Sequence, residues 1–249
     1  MSGHPLLAVG FLAFFVVALV VGVRLLLLAR RTRQLPELLI GIGVLGIGPV
    51  GFGLVVLARE ISATHPHLYS VALGVGAAAV ALGVFCKLVF NWRVYHPGSE
   101  GLASLLYLAA ALLLVAYAGD FAQGFRRYAD ITWQFYLRSP IQVGALLWGS
   151  GEALAYWSKM RRRVRLGLAD PVVANRFLLW GIGAGAAGVG SLIGVGANVV
   201  MDAVRPDNPW ILASSSLHGL VAAVAMWLAF VPPAAYVRRV AARAASASA

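Results

Sequence analysis

The chain has little of what chemistry in water needs. It has one cysteine, Cys86, two lysines, Lys87 and Lys159, and nine acidic residues, and only 12% of its 249 residues are charged. A lone cysteine excludes an internal disulfide and a cysteine-built metal cluster. His218 is the only histidine inside a long apolar run, so a bis-histidine haem lacks its second ligand. His65, His67 and His96 fall at the ends of such runs, which disfavours a three-histidine zinc site. HExxH and GxSxG are absent, and an enzyme is the least supported class. No metal and no cofactor are expected.

What is present is apolar. Hydrophobic residues make up 61% of the chain and the mean hydropathy is +0.84. Several runs reach twenty residues or more, enough to cross a hydrocarbon core of about 30 Å at about 1.5 Å per residue. The fold class expected is therefore an all-α integral membrane protein, a single seven-helix transmembrane bundle in the cell membrane. The spans read as Pro5 to Ala29, Pro36 to Ala58, Pro66 to Asn91, Glu100 to Gly119, Pro140 to Met160, Pro171 to Met201 and Pro209 to Val231. Six of them open on proline, whose missing N–H has no intrahelical partner at a first position. Ser99, Ser139, Asp170 and Asn208 precede helix starts as N-caps. The first run is longer than a signal peptide's apolar region and its arginines follow it, so it reads as a span.

The net charge of +11 would suggest nucleic acid in a soluble protein. Here the cations sit in short clusters between apolar runs, and nucleic acid is not expected. Arg30, Arg31, Arg33, Arg93, Lys159, Arg161, Arg162, Arg163, Arg165, Arg238, Arg239 and Arg243 gather on one side. Arg59, Arg126, Arg127, Arg138 and Arg205 take the other. The excess predicts a cytoplasmic C-terminus and an outside N-terminus, with anionic lipids against the inner face. The tail from 232 to 249 reads equally as a basic amphipathic helix or as a frayed end. DITWQFYLR, from Asp130 to Arg138, suits an outer interfacial turn or a bent start to the fifth span.

Polar groups inside the spans are the site candidates, because each is costly in lipid. Glu152 lies about 10 Å from Lys159 along its helix, and Lys87 about 9 Å from Arg93, so the two share a depth. Arg24 and Arg176 share that layer as an inner basic cluster, or snorkel to the headgroups. Asp120, Gln142, Asn198, Asp202, His218 and Ser214 to Ser216, including Ser215, fall in the outer half. Trp148, Trp180 and Trp210 are flat walls for a small-molecule ligand there. Gly181, Gly185, Gly190 and Gly194 in the sixth span predict close helix packing, with a homo-oligomer through that helix as the alternative. Pro49 among Gly46, Gly48, Gly51 and Gly53 predicts a kink in the second.

Seven spans with an outside N-terminus resemble rhodopsins and seven-helix receptors in count and orientation only; the last span has no lysine for retinal. Two functions stay open. One is a sensor that binds a small or lipidic ligand in the bundle and signals to a cytoplasmic partner through Arg161, Arg162, Arg163 and Arg165. The other is a channel or transporter with Glu152 and His218 along its path. A structural or assembly subunit is the fallback.

Overall fold

A computed structural model describes residues 5–62, 64–128, 130–201 and 209–246. Among the described residues there are helices and no strands. They are α1 (Pro5–Thr32), α2 (Leu35–Leu45), a π-helical segment (Gly46–Phe52), α3 (Gly53–Ile61) and α4 (Pro66–Tyr95). Then come α5 (Glu100–Ala122), α6 (Trp133–Arg165), α7 (Pro171–Met201), α8 (Pro209–Phe230) and α9 (Ala234–Ser246). Six stretches are long and apolar enough to cross a membrane: Val9–Thr32, Leu35–Ala58, His67–Tyr95, Glu100–Ala122, Pro171–Val200 and Trp210–Phe230. The chain is a multi-pass, bilayer-embedded helical bundle.

The local causes are visible in the sequence. Pro36 and Pro66 sit in the first turns of their helices, where no hydrogen bond is lost. Asp170 caps α7, its Oδ1 accepting the Val172 N–H at 2.7 Å. Pro49 lies inside the π-helical segment, which carries the second span through one wider turn without ending it. Pro140 behaves differently from expectation. Helix α6 starts at Trp133, seven residues earlier, and runs through Pro140, so Ser139 is a buried helical residue and no cap. Thr132 takes the cap position, and the expected interfacial turn is the helix's first turn. Phe135, 8% exposed, packs there, and Arg138 one turn further reaches Asp120 of α5; these tertiary contacts hold the extended start although Pro140 leaves one helical hydrogen bond unmade and the fully buried Gln134 amide has no partner.

Packing closes a ring. Helix α1 packs on α2 and α8, α2 and the π segment on α4, α4 on α6, α6 on α7, and α7 on α8. Helix α5 lies outside this ring against α4 and α6, and its Tyr107 and Leu114 are 77% and 69% exposed. Where α1 meets α8 the backbones nearly touch. A Cβ on Gly10 would stand 1.9 Å from the Ser216 carbonyl oxygen, and the Gly10 N–H donates to Ser216 Oγ at 3.2 Å. In α7, Gly181, Gly185 and Gly188 face Leu154, Ser150 and Leu147 of α6, while Gly190 faces His218 of α8. These glycines serve packing within the chain. The tail forms α9, which rests on α7 and carries a hydrogen bond from Asn175 Nδ2 to the Tyr236 hydroxyl at 2.8 Å.

Candidate functional site

Two polar groupings lie at opposite ends of the bundle. The first is at the basic end, that of Arg93 and Lys159, and is built by α4, α6 and α7. Lys87 and Asn91 are one turn apart on α4 and share a face. Both are buried, at 5% and 0% exposure. Asn91 Nδ2 donates to the Ala145 carbonyl of α6 at 3.3 Å. Lys87 Nζ lies 4.1 Å from the centre of a Trp180 ring on α7, a cation–π contact, and 6.0 Å from that of Phe90. Lys87 Nζ, Asn91 Oδ1, Trp180 Nε1 and the Tyr95 hydroxyl are buried with no hydrogen-bond partner. On α6 the facing residue is Gly149. A Cβ there would come within 3.0 Å of both Lys87 Nζ and Asn91 Oδ1, so the absence of a side chain is what admits the ammonium.

Glu152 stands three residues beyond Gly149 on α6, close to the same face. Its Oε1 is 2.6 Å from His96 Nε2 and accepts the Trp148 indole N–H at 2.9 Å. The His96 and Trp148 rings stack at 6.1 Å. The side chains of His96 and Glu152 are 38% and 23% exposed. The turn after α4 aims His96: Trp92 Nε1 donates to the Ser99 carbonyl at 3.1 Å, and Gly98 takes φ +86°. Depth matching alone points to a Lys87–Glu152 pair. The structure instead gives the carboxylate to His96, and no carboxylate lies within ion-pair distance of Lys87 among the described residues.

The second grouping is at the opposite end, between α5 and α6. Arg138 Nη1 donates to Asp120 Oδ2 at 2.7 Å, Nη2 donates to the Tyr128 carbonyl, and the guanidinium stacks 4.1 Å above the Tyr128 ring. The Arg138 and Asp120 side chains are 15% and 5% exposed. Burial pushes the Tyr128 phenol above its ordinary pKa, Arg138 pulling it down and Asp120 adding to the rise. Beside the pair is a cavity of about 20 Å³ lined by Asp120, Arg138, Tyr117, Tyr128 and Gln142 among apolar neighbours. That volume holds about one water.

Several expected neighbours separate. Arg24 and Arg176 are exposed and join no carboxylate among the described residues, and Glu152 pairs with His96 instead of an inner cluster of three cations. Their long side chains extend outward along their own helices. Trp148 and Trp180 belong to the basic-end site and not to an outer pocket, because they face Glu152 and Lys87. His218 Nδ1 lies 2.7 Å from the Ser214 carbonyl oxygen of its own helix, against Gly190 and away from both groupings. Ser215 is exposed and Asn198 half-buried, neither beside Asp120. Trp210 is 83% exposed, and Asp202 lies outside the described residues. Arg161, Arg162, Arg163 and Arg165 are exposed at the end of α6.

Three contributors to these groupings, Asn91, His96 and Arg138, escape a reading by hydropathy. Asn91 had a signal, its i+4 spacing from Lys87, and Trp148 has the same spacing to Glu152. His96 and Arg138 read as loop or headgroup residues and turn inward only through tertiary contacts. Glu37, on the first turn of α2, buries one carboxylate oxygen without a partner and carried no pattern of its own. No family model, no curated protein and no solved structure matches this chain.

Proposed function

We propose that the chain is a seven-span sensor of the cell membrane, N-terminus outside, in which Glu152 switches between two partners. One observation carries the reading: Lys87 is buried without an acid partner among the described residues, while Glu152, three residues along α6 from the Gly149 that faces Lys87, is held by His96 and Trp148. An unpaired charge inside a bundle costs several kcal/mol, so a state in which Glu152 meets Lys87 gains what the present state forgoes. His96, being partly exposed, loses Glu152 to water at little cost. Reaching Lys87 would take the partly exposed Glu152 carboxylate out of water, a desolvation cost that offsets this gain, so the two states differ by little, the condition for a small or lipidic ligand to shift their populations by binding one better. The exposed run Arg161 to Arg165, at the end of the helix that carries Glu152, then changes its presentation to a cytoplasmic partner.

The seventh span of this reading is α6. At 33 residues it is about 50 Å long, and it packs against α4, α5 and α7, which explains how it tolerates a carboxylate and hydroxyls. The distribution of Lys and Arg supports the orientation.

Spin labels at Val94→Cys and Lys159→Cys, in a Cys86→Ser background, test the switch by distance measurement in nanodiscs. The expected result is two populations, of which Lys87→Met leaves the His96-bound one and Glu152→Gln changes the ratio. One population, unmoved by either substitution, would sink the proposal. The partial exposure of the His96–Glu152 pair favours a second reading, a proton carrier with this pair at its inner mouth. Proton flux in liposomes that Glu152→Gln abolishes would put that reading ahead.

A further inference from the structure

The corner formed by α7 and α9, joined by the Asn175–Tyr236 hydrogen bond, carries exposed cations on both helices. Arg176 of α7 and Arg238 and Arg239 of α9 are exposed, and none has a carboxylate in ion-pair reach among the described residues. The neighbouring acids are engaged, Asp170 with the α7 N-terminus and Glu152 with His96. Helix α9 is two-faced. Tyr236, Val237, Val240 and Ala244 are half-covered, while Arg238, Arg239 and Ala242 are exposed.

Depth decides what such a surface meets. Tyr156 of α6 and Phe177 of α7 pack as a tilted pair with ring centres 4.5 Å apart, and with Trp157 they form an aromatic level of the kind that marks a headgroup boundary. Asn175 is two residues past Phe177, about 3 Å by helical rise, and its side chain holds Tyr236. The first turn of α9 therefore sits within a few ångströms of the aromatic level, inside the headgroup layer. A cytoplasmic protein would meet the Arg161 to Arg165 run first, since that run starts four residues beyond Trp157 and leads away from it.

We infer that Arg176, Arg238 and Arg239 form a binding site for the phosphate of an anionic phospholipid, with the Asn175–Tyr236 hydrogen bond holding the two helices as its halves. The leaflet in which this occurs rests on the orientation proposed above, but the chemistry does not. Arginine suits the role, because its guanidinium pairs two N–H groups with two phosphate oxygens.

The test uses the purified full chain, extracted from bilayers of mixed phosphatidylglycerol and phosphatidylcholine, and native mass spectrometry of the lipid that stays bound. The expected result is preferential retention of phosphatidylglycerol. Replacing all three arginines by Gln should lower that preference roughly tenfold or more, since each basic side chain at an anionic surface contributes about 1 kcal/mol. Replacement by Lys keeps the charge but not the paired N–H groups and should restore only part of it. Tyr236→Phe keeps every charge and should lower the preference by a smaller factor, a readout that does not depend on the triple variant folding. Arg162→Gln with Arg163→Gln should leave it unchanged. Retention that survives the triple Gln substitution, ignores Tyr236→Phe, or falls equally in the α6 pair would overturn a localised site. Failure here leaves the Glu152 switch intact, because its distances are measured on other residues.

Discussion

Arg138 reaches Asp120 at 2.7 Å, binds the Tyr128 carbonyl and lies over an aromatic ring, whereas Lys87 has an aromatic ring and no anion. Both cations leave water, and only one is compensated. The difference decides what each substitution does. Removing one member of a buried pair strands the other, which costs about 3–5 kcal/mol, while removing both leaves no naked charge. Asp120→Asn and Arg138→Gln should each lower stability by that order, and the double variant should lose far less than their sum. Unfolding in mixed micelles, run as a double-mutant cycle, measures the coupling. A coupling near zero would mean that the pair is solvated and contributes nothing as a pair.

At the scale of elements, the ring closes where α1 and α8 cross, and Gly10 sets how near they come. Any side chain there meets the Ser216 carbonyl and hydroxyl, both fixed on a neighbouring helix. Gly10→Ala should therefore destabilise by about 1–3 kcal/mol through overpacking. Gly144→Ala, in α6 with nothing within 4 Å, should be neutral or gain up to about 1 kcal/mol of helix propensity. Thermal melts of the two variants beside the parent separate them, and equal melting would remove the close crossing. Elements of this kind were partly legible beforehand. Prolines at first helical positions act locally, so the starts of α4 and α7 follow from the sequence. Pro140 does not follow, because tertiary contacts of Phe135 and Arg138 hold that helix start and no local rule contains them. Depth along a helix was readable too, and it put Lys87 and Glu152 at one level. Rotation was not, so His96 as the carboxylate's partner and the wide separation of His218 from Asp120 depended on how the helices turn.

Over the whole molecule, whether α6 crosses decides both the number of spans and their direction. It is the least apolar of the long helices and is absent from the six stretches that qualify by hydropathy. Its polar residues face partners inside the bundle: Ser150 donates to the Gly181 carbonyl at 2.7 Å, Trp148 to Glu152, and Arg138 to Asp120. A helix so shielded crosses lipid without an apolar surface all round, because its neighbours supply it. Gln123 and Leu168 are both exposed, and only α6 lies between them as a membrane-length helix. In a Cys86→Ser background, Gln123→Cys should react with a membrane-impermeant maleimide on intact cells, and Leu168→Cys only after permeabilisation. Reaction of both before permeabilisation, or of neither, would show that α6 does not cross and would leave six spans. The reversed pattern would keep seven spans and invert them, moving Arg161 to Arg165 and the α7–α9 corner to the outside and removing the cytoplasmic partner from the proposal. The twelve-to-five imbalance of Lys and Arg between the two sides argues for the first outcome, since basic loops resist translocation.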